Sequence, residues 1–153
     1  MAASNITFPN LAKLNIFSAT NLLAANPANF RLCLLSSLFT PDPATDETYA
    51  DLDNEIANGN GYTTGGEALS NVVLNQTAGV VKFTSDPIVW TASGGPIPAW
   101  RYGYFYYLGT LNGKVNPLIG GFLGDNTPAD IPATTNGNTL TVTPNAAGIV
   151  QAS

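Results

Sequence analysis

The side chains that could do chemistry in this chain are chiefly its ten carboxylates, because the sequence contains no histidine. Histidine is the commonest general base and a frequent metal ligand, so its absence removes most hydrolytic mechanisms. A pair of carboxylates at a fixed separation still suffices for glycoside hydrolysis. The acids available for such a pair are Glu67, Asp86, Asp125 and Asp130. No motif places two of them in one cleft, and we expect that the protein is not an enzyme.

Six of the ten acidic residues lie between Asp42 and Glu55. Within that segment Asp51, Asp53 and Glu55 alternate, a spacing at which carboxylates can gather calcium. The segment lacks the glycine and the terminal glutamate of an EF-hand loop. A solvated acidic face is the simpler interpretation, and we predict no metal and no cofactor.

A glycine-rich loop, GNGYTTGG at residues 59–66, could in principle cradle a phosphate. Phosphate loops require a following helix and usually a lysine. The residues that follow here, ALSNVVLNQTAG, suit a strand better. We therefore predict a wide turn that enters a strand, with glycines at the positions of positive φ.

Aromatic side chains could form a platform that stacks on a sugar ring, and the candidates are Trp90, Trp100, Tyr104, Tyr106 and Tyr107. Core packing is the simpler use of these rings, since Trp90 alternates with Ile88 and points inward. Trp100 follows a proline turn and is expected to stay partly exposed. We predict Trp100 as an interface anchor, because tryptophan often dominates contact energies.

Arg101 is a cation within an apolar strand, where burial without a partner would cost several kcal/mol. Its candidate partners are Asp86 and Glu67. We predict a structural ion pair between Arg101 and Asp86 rather than a ligand site. On this interpretation Arg101→Leu should weaken folding or assembly.

Charge excludes two classes of partner. The net charge is −5, and the five basic residues are too scattered to form a patch: Lys13, Arg31, Lys82, Arg101 and Lys114. Nucleic acids and anionic membranes both require clustered basic residues, so we expect neither. Charged residues make up only 10% of the chain, against about 25% in ordinary soluble domains. Such a surface is expected to be covered by other protein.

The single cysteine, Cys33, lies in the apolar run FRLCLLSSLF and is predicted to be a small buried hydrophobic residue. The N-terminal residues lack the basic region and the apolar stretch of a secretory signal, and no stretch reaches the roughly 20 apolar residues of a membrane span. We expect a soluble protein made in a cytoplasm.

The elements that must position these side chains begin after an N-terminal segment, residues 1–29, that is either a short helix or an extended arm. Periodicity does not decide between them. We predict that this segment makes contacts with a neighbouring subunit. The predicted contact residues are Ile6, Phe8, Leu11, Leu14, Ile16 and Phe17.

Residues 30–153 are predicted to form one β domain. Phe30–Leu38 is a continuous apolar run typical of a buried strand, and in WRYGYFYY both faces of the predicted strand are aromatic, which favours a central position between two layers. Asn112-Gly113 and Asn136-Gly137 are type I′ hairpin signals, so the chain is expected to close as an antiparallel meander. We predict an all-β fold, an antiparallel β-sandwich or jelly-roll-like barrel.

Several stretches of this sequence resemble a family of small virion proteins of tailed phages that look like capsid decoration, or cement, proteins. The motifs that carry the resemblance are Leu34–Asp42, Tyr49–Asp51, Gly59–Gly66, Val81–Thr91 and Arg101–Tyr102. The resemblance implies a β-sandwich on the exterior of an icosahedral head, bound to the major capsid protein as a dimer or trimer. Two alternatives stay open: another virion component (tail, connector or fibre base), or a carbohydrate-binding module.

Overall fold

The computed structural model describes Pro9 and residues 27–77, 80–127 and 129–152. Within these residues the fold is all-β, as predicted, and its helical turns are 3-10 helices at Pro27–Asn29 and Tyr49–Asp51. The strands are β1 (Phe30–Leu35), β2 (Glu67–Ala68), β3 (Val73–Thr77), β4 (Val80–Thr84), β5 (Ile88–Thr91), β6 (Tyr102–Tyr107), β7 (Thr110–Leu111), β8 (Lys114–Val115), β9 (Leu118–Leu123), β10 (Thr139–Val142) and β11 (Val150–Ala152).

All strand pairs are antiparallel, but their order is not that of a meander. The central sheet has the order β2–β1–β6–β9, while β10 pairs with β5 and β11 pairs with β4. A third sheet has the order β11–β4–β3, and β7 pairs with β8. The predicted closing meander is therefore wrong, because turn signals define where a strand begins but not which distant strand it pairs with.

The central sheet is buried on both faces, as predicted for its aromatic strand. Strands β1 and β6 pair from Phe30↔Tyr107 to Leu35↔Tyr102. On one face Leu32, Leu34 and Phe105 join the core that includes Phe83 of β4 and Trp90 of β5. The second layer of the sandwich, formed by β4, β5, β10 and β11, therefore covers this face.

The opposite face of the central sheet is covered by irregular chain rather than by a sheet. Cys33, Tyr104 and Tyr106 form a second core with Phe39, and Tyr49 packs against it. Phe39 contacts the Tyr104 ring edge-on at 5.5 Å between centroids. We call residues 39–56 the covering segment. Since it holds six of the ten acidic residues, this face of the molecule is the acidic one.

The turns agree with the sequence in part. Asn112 and Gly113 have φ of 50° and 73° and join β7 to β8, as a type I′ turn requires. Asn136-Gly137 is also a turn, but the strand after it pairs with β5 instead of closing a hairpin. β1 ends at Leu35 and Leu38 is 76% exposed, so the predicted strand is three residues too long. Among the described residues, no helix has the length and hydropathy to cross a membrane.

Candidate functional site

A polar cluster beneath the surface is built around Glu55. The Tyr62 hydroxyl and the Gly65 N–H donate to Glu55 Oε1 at 2.6 and 2.8 Å, and the Tyr49 hydroxyl donates to Oε2. The Tyr106 hydroxyl donates to Gly65 O at 2.7 Å, and its ring stacks on Tyr49 at 4.7 Å between centroids. We call these five residues the glutamate–tyrosine cluster.

The members of this cluster come from three different parts of the chain: the covering segment, the glycine loop and β6. Glu55 forms an isolated bridge with Leu35 beside β1, Tyr49 lies in a 3-10 helix of the covering segment, Tyr106 lies on β6, and Tyr62 lies in the glycine loop. The Tyr62 hydroxyl also accepts the Leu34 N–H at 3.0 Å. The cluster therefore fastens the covering segment and the glycine loop to the central sheet.

The glycine loop, residues 59–66, depends on close backbone contacts. A Cβ at Gly61 would lie 1.9 Å from Thr91 O, and a Cβ at Gly66 would lie 1.8 Å from Leu32 O. Both glycines have positive φ, 92° and 69°. The loop continues into β2, as predicted for a turn that enters a strand. Its glycines thus allow the loop to pack against β1 and β5.

The electrostatics of the cluster favour hydrogen bonding over reactivity. Burial, reinforced by the hydrogen bond to Glu55, raises the pKa of Tyr49 and of Tyr62. Burial also raises the pKa of Tyr106 to about 12. The phenols therefore stay protonated at neutral pH and act as donors. The thiol of Cys33 is fully buried, and burial raises its pKa well above the ordinary value, which agrees with the predicted inert role.

Of the three alternating carboxylates of the covering segment, Asp51 and Glu55 have separate roles. Asp51 Oδ2 accepts hydrogen bonds from Thr48 N, Thr48 Oγ1 and Glu47 N, while Glu55 serves the tyrosines. Burial acts to raise the pKa of Asp51, but these three hydrogen bonds outweigh burial and lower the pKa. Within the described chain, no three histidine, cysteine or acidic side chains are grouped so that they could hold a metal ion.

Asp46 is the buried carboxylate of the covering segment, at 6% exposure. Its Oδ2 accepts the Asp42 N–H at 2.7 Å. Burial raises the pKa of Asp46, and the neighbouring charges of Asp42, Asp51 and Asp53 add to the rise. The acidic face thus contains one carboxylate whose ionisation is opposed by its surroundings.

The acids considered for glycoside hydrolysis take part in local contacts. Asp86 Oδ2 accepts from Asn71 Nδ2 at 2.6 Å, and Asp125 Oδ1 accepts from the Thr127 N–H at 2.9 Å. Asp130 pairs with Arg101, and Glu67 is exposed on β2. None of these contacts joins one carboxylate of the set to another.

The aromatic rings considered for sugar stacking are all buried. Their exposed fractions run from 2% to 7%, for Trp90, Trp100, Tyr104, Tyr106 and Tyr107. The prediction that Trp100 is an exposed interface anchor is wrong. Its backbone bridges to Ile131 and its ring meets Phe122 edge-on in the core. A proline turn precedes Trp100 in the sequence, but its backbone pairing with Ile131 and its ring contact with Phe122, both distant in sequence, place it in the core.

The predicted ion pair of Arg101 exists with a different carboxylate. Arg101 Nε donates to Asp130 Oδ1 at 2.7 Å, and the two side chains are 28% and 40% exposed. The assignment of Asp86 as its partner is wrong, because the bridge between Trp100 and Ile131 brings Asp130 beside the start of β6. The pair lies near the surface, so the expected penalty for a buried cation does not arise.

The other predicted contact residues, Ile6, Phe8, Leu11, Leu14, Ile16 and Phe17, lie outside the described residues. Sequence reasoning missed a different set of apolar side chains that the structure leaves exposed. They are Leu38, Val73, Val89, Leu108 and Val115. Leu108 precedes the β7–β8 hairpin and Val115 lies in β8. The only sequence signal for them is their place near a predicted turn.

The chain matches no protein-family model, no curated protein and no solved structure.

Proposed function

We propose that this protein is a structural virion component, a capsid decoration protein that binds the outside of a phage head and stabilises contacts between major capsid proteins. The motif resemblance described above, which spans roughly residues 30–107, supports this proposal. So do the scarcity of charge and the lack of histidine in the sequence. The all-β architecture is compatible with the role but is shared by many functions.

The observation that carries the proposal is the distribution of side chains between interior and surface. Among the described residues, the large aromatic rings of β5 and β6 and the polar groups around Glu55 are engaged in internal contacts. Large apolar side chains are instead exposed, with Leu38 at 76% and Val115 at 64%. A surface of this kind suits adhesion to other protein more than it suits catalysis.

We assign the shell contact to the end of the molecule that carries Leu108 and Val115. The Leu108 N–H donates to Asn29 O at 2.7 Å, so the start of β1 lies beside this hairpin. The start of β1 and the two exposed side chains therefore share one end of the central sheet. Leu38 follows the opposite end of β1 and is not part of this contact.

Weak contacts are sufficient for this function because each is repeated across the shell. A symmetric head presents many identical sites, and a protein that bridges two subunits gains from the high effective concentration of the second site. We propose a dimer or trimer as the bound form. The proposed partner is the major capsid protein of the same phage.

Co-sedimentation with empty shells tests the proposed contact. Leu108→Ser/Val115→Ser should weaken shell binding about tenfold or more, because two exposed apolar side chains leave the interface. Leu38→Ser makes the same kind of change at the other end and should bind as the wild type does. Retained binding by the double variant would contradict the assigned contact, and failure of the wild-type protein to co-sediment would contradict the function itself.

A further inference from the structure

Strand β10 (Thr139–Val142) has one edge that pairs with no strand of the described part of the chain. Among the described residues it pairs only with β5, in an unbroken register from Thr139↔Thr91 to Val142↔Ile88. A strand in an antiparallel sheet directs its N–H and C=O groups alternately to its two sides. β10 therefore presents half of its backbone donors and acceptors away from β5, where another strand could bind them.

The sequence does not protect this edge. Natural sheets block free edges with charged side chains, prolines, bulges or very short strands. Residues 131–153 contain no charged residue at all, and Pro144 lies beyond the end of β10. By comparison, β2 at the edge of the central sheet is two residues long and carries Glu67.

The outward face of the β5–β10 ribbon is also uncharged. It consists of two cross-strand pairs, Thr91 with Thr139 and Val89 with Thr141, and all four side chains are exposed. Val89 is 47% exposed. β-Branched side chains of this kind favour extended backbone and pack well on a neighbouring strand.

The position of the ribbon separates it from the acidic face. Trp90 of β5 and Leu140 of β10 belong to the core on one face of the central sheet, whereas Tyr49 and Leu52 of the covering segment pack on the other face. Two copies that each carry a net charge of −5 can therefore meet at β10 without bringing their acidic segments into the contact.

We propose that β10 is a self-association edge whose partner is β10 of a second copy of this chain. A two-fold axis perpendicular to the sheet pairs the two edges antiparallel and joins the ribbons into one sheet of order β5–β10–β10–β5. The pairing ends at two copies, because each copy supplies one β10 edge and both edges are used in the dimer. This inference does not depend on the proposed function, since it concerns the protein alone in solution.

Sedimentation equilibrium of the isolated full-length protein over a range of concentrations tests the inference. The wild-type protein should form a dimer, and Thr139→Lys/Thr141→Lys should raise its dissociation constant about tenfold or more, because like charges then face each other across the new pair. Thr40→Lys/Thr45→Lys makes the same change of net charge at two exposed threonines of the covering segment and should leave the dimer unchanged.

A charge-reversed variant separates loss of pairing from loss of folding. By itself, Thr139→Glu/Thr141→Glu should also dimerise more weakly than the wild type. An equimolar mixture with the lysine variant should recover the dimer. A monomeric wild-type protein, or a dimer that both β10 variants leave intact, would overturn the proposal. So would a mixture that shows no recovery although both variants unfold at the wild-type temperature. Shell binding is measured separately, so a failure here leaves the decoration function standing.

Discussion

At the scale of the residue, the Tyr62 hydroxyl links three parts of the chain through one atom. It accepts the Leu34 N–H from β1 and donates to Glu55, and its ring is 1% exposed in the glycine loop. Because its pKa is raised by burial and then by Glu55, the phenol keeps its proton throughout the neutral range. Its contribution is therefore structural and independent of pH there.

Removal of that hydroxyl should be costly. Tyr62→Phe leaves the buried Leu34 N–H without its acceptor and Glu55 without one donor, so we expect a loss of about 2–4 kcal/mol in the free energy of unfolding. Urea unfolding measures the loss. Tyr102→Phe is the matched control at a half-buried tyrosine of β6 and should change stability by less than about 0.5 kcal/mol. Equal stability of the two variants would contradict the role of the cluster.

The contribution of Asp46 to the free energy of unfolding should decline as pH rises. Burial raises its pKa in the folded chain above the ordinary 3.8, so the folded state favours the protonated carboxyl, and that stability is present at low pH and is lost as pH rises through the folded-state pKa. Asp46→Asn keeps an oxygen for the Asp42 N–H and removes the charge.

The corresponding measurement is urea unfolding of both proteins at a series of pH values. The stability of Asp46→Asn relative to the wild type should increase from acid to neutral pH. Asp53→Asn, at an exposed carboxylate of the same segment, should show a smaller change with pH. A relative stability of Asp46→Asn that falls as pH rises would show that the ionised carboxylate is stabilising.

Arg101 illustrates how burial decides the value of an ion pair. Since Arg101 and Asp130 are both partly exposed, we expect Arg101→Leu to change the free energy of unfolding by less than about 1 kcal/mol. The larger effect expected from the sequence requires a buried cation, which the structure does not contain at this position. Thermal unfolding at low and high salt checks the smaller value, and a loss of several kcal/mol would contradict it.

At the scale of the element, the glycine loop shows that similar backbone angles can carry different constraints. Gly66 and Gly113 have φ of 69° and 73°. A Cβ at Gly66 would lie 1.8 Å from the Leu32 carbonyl oxygen, whereas a Cβ at Gly113 would meet nothing within 4 Å. Gly66 is required because there is no room for a Cβ and because its φ is positive. Gly113 is required by its positive φ alone.

Alanine substitution should separate the two constraints. Gly113→Ala should cost about 1–2 kcal/mol, the penalty for a left-handed residue. Gly66→Ala must in addition displace the loop from β1, and we expect a loss of more than about 3 kcal/mol or failure to fold. Urea unfolding of the pair is the test. Similar losses in both variants would contradict the close packing of loop on strand.

The parts of this structure that could be predicted are those encoded by neighbouring residues. Alternation in the aromatic strand indicated its two buried faces, and Asn112-Gly113 indicated its turn. Contacts between distant residues could not be inferred in the same way. Trp100 was misplaced because its backbone bridges to Ile131 and its ring lies in the core, and Arg101 was misassigned because that bridge brings the neighbouring Asp130 close to it. The cluster around Glu55 was missed for this reason too.

At the scale of the whole molecule, the two faces of the central sheet give the surface two different characters. The covering segment concentrates acidic residues on one face, whereas the outward side chains of the β5–β10 ribbon on the other side of the sandwich are uncharged. The exposed hairpin residues Leu108 and Val115 lie near the start of β1. We propose that the β10 edge serves self-association and that the end with Leu108 and Val115 serves shell binding.

Cryo-electron microscopy of the virus particle tests the central claim most directly. We predict symmetric density on the outer surface of the head, fitted by copies of this 15.9 kDa sandwich, each touching more than one capsid subunit through the end that carries Leu108 and Val115. Particles made without the protein should lose that density. A particle in which the protein is confined to the tail, or is absent altogether, would contradict the account.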